Sequence, residues 1–79
     1  MTGALIVSGG SRGIGAATAI CAARQGWDVA INYARDENAA VSVADQVRSF
    51  GRRAIIVKGD MCVEQDIQTL FNDTEKELG

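Results

Sequence analysis

The run Ser8-Gly9-Gly10-Ser11-Arg12-Gly13-Ile14-Gly15 gathers residue types that let a backbone close on a ligand. Glycine permits a sharp bend, brings backbone N–H groups near a guest and lets the following helix sit tightly on its strand. The run stands between an apolar stretch, Ala4-Leu5-Ile6-Val7, and an alanine-rich one beginning Ala16-Ala17-Thr18-Ala19-Ile20. It reads as strand, glycine turn, helix. A helix N-terminus aims unpaired N–H groups and the positive end of its dipole forward, and phosphate is the usual guest. The spacing of Gly9, Gly13 and Gly15 differs from the tighter Gly-x-Gly-x-x-Gly fingerprint and lacks the Lys-Ser/Thr ending of a P-loop. Taken alone it fits either a nucleotide site or a plain connector.

The elements that must position this turn follow from hydrophobic pattern. Ala4–Val7 is continuous rather than alternating, which predicts a strand buried on both faces. The helix after the glycine turn is rich in small helix formers and stops at Gly26. Residues 28–33 form a second β-prone run, with Trp27 as a packing residue at its entry. Asp36 is placed to cap a helix whose Ala40, Val43, Ala44, Val47 and Phe50 recur at helical spacing, and Gly51 closes it. Residues 53–58 give a third strand and Gly59-Asp60-Met61 a turn. Val63, Ile67, Leu70, Phe71, Thr74 and Leu78 then share one helical stripe, and Cys62 stands where a capping Ser, Thr or Asp would be expected, a weak helix start. Strand and helix alternating three times predict an α/β fold: three parallel strands in the order 3-2-1 with helices on both faces, a Rossmann-like half.

Composition bounds the rest. The chain has 79 residues, 47% of them hydrophobic and 23% charged, the balance of one folded unit and not of a disordered segment. A net charge of -2 with dispersed basic residues gives no face for nucleic acid. Cys21 and Cys62 lack metal-ligand spacing and the chain has no histidine, so both cysteines read as free thiols in a reducing compartment. The start has no basic n-region and its apolar run is too short for a signal core or a membrane span, so a cytoplasmic protein without a membrane partner is expected.

Three stretches together carry a resemblance: Ser8 to Gly15, the strand end Ile31-Asn32-Tyr33-Ala34-Arg35-Asp36-Glu37, and Gly59-Asp60-Met61. In this order and spacing they resemble the short-chain dehydrogenase/reductase family, nearest its 3-oxoacyl-acyl-carrier-protein reductase and sugar dehydrogenase branch. The resemblance covers all 79 residues. It implies that Gly9, Gly13 and Gly15 form a pyrophosphate turn lined by Ser11, Arg12, Gly13 and Ile14, with Ser8 where the family usually has threonine. It implies that Asn32, Tyr33, Ala34 and Arg35 lie by the adenosine ribose, where an NAD-preferring member usually places an acid. Here that position is Tyr33, and Arg35 and Arg12 stand close by, which favours NADP over NAD; the other reading of Arg35 is a solvated partner of Asp36 or Glu37. Asp60 corresponds to the adenine-contacting aspartate, with the Met61 N–H against the ring; otherwise it is a turn residue.

Family catalysis uses a Tyr with a Lys four residues later, and a Ser and an Asn nearby. The one tyrosine, Tyr33, has Glu37 at that offset, so no residue here is assigned to catalysis. The resemblance implies that residues 1–79 are the N-terminal dinucleotide-binding portion of a longer NADP-dependent oxidoreductase, acting on a carbonyl or alcohol substrate and assembled as a dimer or tetramer. The alternative is a non-catalytic nucleotide-binding or regulatory module built from the same half-fold, with a methyltransferase-type fold as a third reading.

Overall fold

A computed structural model of the chain describes residues 3–9 and 13–79. The order is β1 (Ala4–Val7), α1 (Gly13–Arg24), β2 (Asp28–Tyr33), α2 (Glu37–Ser49), β3 (Ala54–Lys58) and α3 (Glu64–Leu78). The strands form one parallel sheet ordered β1-β2-β3. The expected order and strand direction are therefore found, with β2 in the middle.

The sheet separates two apolar clusters because successive side chains of a strand point to opposite faces. Val29, Ile31 and Tyr33 of β2 face α1 and α2, where they meet Ala19, Ala22, Ala23, Ala40, Val43, Ala44 and Val47. Ala30 faces the other way, into a smaller cluster with Val57, Leu70 and Leu78 against α3. The alanines of α1 are what allow it to approach: the Ala19 side chain is fully covered. All six residues of β2 are buried.

Three expectations change. Full burial belongs to β2, while Ala4, Leu5 and Ile6 of β1 are only partly covered, because β1 forms an edge with a neighbour on one side. Phe50 falls just past α2 and is 43% exposed, with the Arg24 guanidinium 5.7 Å from its ring centroid. On α3, Leu70, Thr74 and Leu78 reach the sheet at i, i+4, i+8, whereas Phe71, a further 100° round the helix, is 55% exposed. Trp27 is 42% exposed and packs only in part, its ring lying against Gly3, where an added Cβ would come within 2.8 Å of it. Cys21 and Cys62 are both unpaired and exposed.

At the amino-terminal ends of the strands, Asp28 ties β2 to β3. Its Oδ1 accepts from the Arg53 backbone N–H at 2.8 Å and its Oδ2 from the Arg53 guanidinium at 3.0 Å. The same guanidinium donates to the carbonyls of Glu77 and Leu78, gathering the end of α3. Burial pushes the Asp28 carboxyl upward, but the Arg53 backbone and side-chain hydrogen bonds outweigh it and leave its pKa below the ordinary 3.8. A lowered native pKa gives stability that is present in full above the unfolded value and is lost as pH falls through the native one. We expect acid titration below about pH 3.8 to destabilise the wild type more steeply than Asp28→Asn, measured by circular dichroism; superimposable acid limbs would show that Asp28 contributes nothing there.

Candidate nucleotide site

Parallel register gathers the carboxyl ends of all three strands. Val7 lies opposite Ile31, Asn32 opposite Val57 and Tyr33 opposite Lys58. The three stretches that follow these ends are the three singled out in the sequence, so the fold does bring them together. In open parallel sheets this is the end where ligands bind.

Gly9 and Gly13 bracket the first turn with φ of 65° and 55°, a left-handed backbone that other residues adopt only at a cost. Among the described residues, a Cβ at either would meet nothing within 4 Å. Gly13 begins α1, Gly15 lies in its first turn and Ile14 is 88% exposed. Ser11 and Arg12, both expected to line the turn, lie outside the described residues.

Asn32 has a different part from the one expected. Its side chain is 3% exposed and turned inward. Oδ1 accepts from the Ser8 hydroxyl at 3.3 Å and the Gly9 N–H at 3.4 Å, while Nδ2 donates to the carbonyls of Val57 at 3.2 Å and Gly59 at 3.1 Å. Both amide hydrogens and both lone-pair directions of the oxygen are thereby used. The Asn32 side chain braces the ends of β1 and β3 and the turns that follow them.

Tyr33 is likewise buried, and its hydroxyl donates to Glu37 Oε1 at 3.0 Å. Burial and the neighbouring Glu37 carboxylate both raise its pKa, so the phenol stays protonated. The next residues turn outward. Ala34 and Arg35 are exposed, and Asp36 caps α2 as expected, with Oδ1 accepting from the Ala39 N–H at 2.9 Å.

Across from this loop, α3 begins without a side-chain cap: the capping position is Val63, one residue past the expected Cys62. Order comes from elsewhere. Asp66, in the first turn of α3, accepts from the Asp60 N–H at 2.8 Å, and Asp60 Oδ1 accepts from the Cys62 N–H at 2.8 Å. Gly59 lies close under Asp66, where a Cβ would stand 3.1 Å from the Asp66 Cβ. Met61 leaves the loop to pack, partly buried, against the smaller cluster.

Between the two loops runs an open groove of ≈ 560 Å³ lined by Ala34, Arg35, Lys58, Gly59, Asp60 and Asp66. That volume lies within the range of small-molecule and cofactor sites. Lys58 and Asp66 were not among the residues expected from sequence; Lys58 is the last residue of β3 in register with Tyr33, the one sequence signal that could have pointed to it. Among the described residues there is no cluster of acidic or cysteine side chains able to hold a metal, and no helix long and apolar enough to cross a membrane.

Comparison with known proteins decides the family. The sequence model of the short chain dehydrogenase family matches residues 3–79. The chain belongs to that family. It is 48% identical over 64 residues to an L-rhamnose 1-dehydrogenase (NAD(P)(+)) of a Sphingomonas species, covering 81% of this chain and 25% of that protein. It is 35% identical over 74 residues to a hydroxynaphthalene reductase of Aspergillus fumigatus, covering 94% and 27%. Among solved structures, a mutant short-chain dehydrogenase/reductase of Serratia marcescens superposes with a TM-score of 0.91 at 33% identity, over 99% of this chain and 31% of that one. Acetoin dehydrogenase of Enterobacter cloacae gives 0.88 at 30% identity, over 96% and 31%. The chain thus spans about a quarter of the curated relatives it matches. The family implies a nicotinamide dinucleotide as cofactor.

The groove and glycine turn fit such a group: two left-handed glycines, a helix N-terminus at Gly13, and cationic side chains beside the second strand end. The Asn32 brace is the part most exposed to test. Asn32→Ala removes partners from the Gly9 N–H and from two carbonyls, at about 1–3 kcal/mol for each buried group left unsatisfied. We expect a lower melting temperature together with weaker ADP-ribose binding; a variant as stable as wild type would remove the brace.

Proposed function

We propose that this chain is the dinucleotide-binding portion of a longer oxidoreductase that prefers NADP and acts on a ketone or secondary alcohol. The observation that carries the cofactor preference is the inward turn of Tyr33, which puts Ala34 and Arg35, and no carboxylate, at the strand end beside the groove. An acid there would bond a ribose 2'-hydroxyl and repel a 2'-phosphate; an arginine does the reverse. The two carboxylates across the groove, Asp60 and Asp66, each already accept a backbone N–H.

In this reading the Gly9 to Gly15 turn holds the pyrophosphate against the start of α1. Arg35 holds the 2'-phosphate, joined by Arg12, and the loop at Asp60 and Met61 receives the adenine. When bound, the nicotinamide dinucleotide supplies hydride transfer. The chain's own work is to grip and orient it, and proton transfer belongs to residues elsewhere in the longer protein. The relative named as an NAD(P)(+)-dependent rhamnose dehydrogenase supports a cofactor of this kind.

Calorimetry with 2'-phospho-ADP-ribose and ADP-ribose tests the preference. One charge-assisted hydrogen bond from an exposed arginine gives about tenfold, the low end of its range. Wild type should bind the 2'-phosphorylated ligand about that much more tightly, and Arg35→Ala should lose most of the difference. Equal affinities in wild type would overturn the NADP assignment.

A further inference from the structure

We propose that Lys58 is a second anion ligand of the groove and acts with Arg35 in selecting a 2'-phosphorylated adenosine. The inference rests on the dinucleotide reading above and extends it to a residue on a different strand.

Alternation fixes where Lys58 stands. Ala54 and Ile56 of β3 belong to the cluster that also holds Val29, Ile31 and Tyr33 of β2. Lys58 continues the Ala54–Ile56 side of β3, in register with Tyr33 and at the point where that face leaves the core and becomes exposed. Arg35 follows Tyr33 by two residues beyond the end of β2. Two cations from adjacent strands therefore reach one groove.

Their bonding separates them from the acids nearby. Asp66 accepts from the Asp60 N–H and Asp60 from the Cys62 N–H. Among the described residues, the side chains of Arg35 and Lys58 make no hydrogen bond and no ion pair, so the charges left to meet a ligand include both cations. A phosphate monoester carries about -1.5 to -2 at neutral pH, more than one guanidinium balances. Lysine supplies the second charge as a mobile point donor beside the planar arginine fork.

The test compares wild type, Lys58→Gln and Lys58→Arg by calorimetry with 2'-phospho-ADP-ribose and ADP-ribose. Lys58 is exposed at a strand end, so the variants keep the fold, checked by circular dichroism. We expect Lys58→Gln to weaken 2'-phospho-ADP-ribose binding by roughly three- to tenfold with ADP-ribose unchanged, and Lys58→Arg to restore it. If wild type prefers the phosphorylated ligand and Lys58→Gln keeps that preference in full, Lys58 has no part and the NADP reading stands. Equal weakening of both ligands also overturns the inference. If wild type shows no preference or binds neither ligand, the NADP reading and this extension fall together.

Discussion

One buried amide ties the carboxyl end of the sheet together. Asn32 sits next to the end of β2, the central strand of the described sheet, and its four hydrogen bonds reach back to Ser8 and Gly9 and across to Val57 and Gly59. A glycine turn has little to hold it in place, since glycine loses more backbone freedom on ordering than any other residue. Asn32 supplies an external anchor for Gly9, and the same side chain anchors the turn at Gly59, so two of the three site loops are referenced to one atom group. Any shift of β2 along the sheet would break both anchors at once.

The two ends of the sheet use charge differently. At the amino end, Asp28 and Arg53 satisfy each other, and the remaining guanidinium donors gather the end of α3. At the carboxyl end, Asp60 and Asp66 each accept one backbone N–H while Arg35 and Lys58 stand exposed at the groove. Internal pairing at one end closes that end off. At the other, no side-chain partner of the two cations lies among the described residues, the condition on which the proposed anion site rests.

Most of the fold was legible because each of its signals is local. Continuous apolar runs marked the strands, small residues marked α1, Asp36 marked the start of α2, and strict alternation of strand and helix fixed a parallel sheet. The three stretches singled out do meet at one end of the sheet, but the direction of every side chain in them was not legible. Asn32 and Tyr33 were expected at the ligand and instead point inward, because the alternation of β2 and the carbonyls of β3 decide their orientation, and both depend on register between strands. Lys58 was not singled out for the same reason, since its place beside Arg35 in the groove exists only once β2 and β3 are paired. Phe71 and Phe50 show the reverse limit: helical spacing identifies a stripe, but how wide a strip the sheet covers is a tertiary fact.

The central claim is that the carboxyl end of this sheet is a dinucleotide site. Titrating the isotopically labelled chain with 2'-phospho-ADP-ribose and following backbone amide chemical shifts reads every position at once. The largest shifts should fall at Gly9, Gly13, Ala34, Arg35, Gly59 and Asp60, with Trp27 and Arg53 at the opposite end unmoved. Shifts centred on Trp27 and Arg53, or none at saturating ligand, would contradict the account.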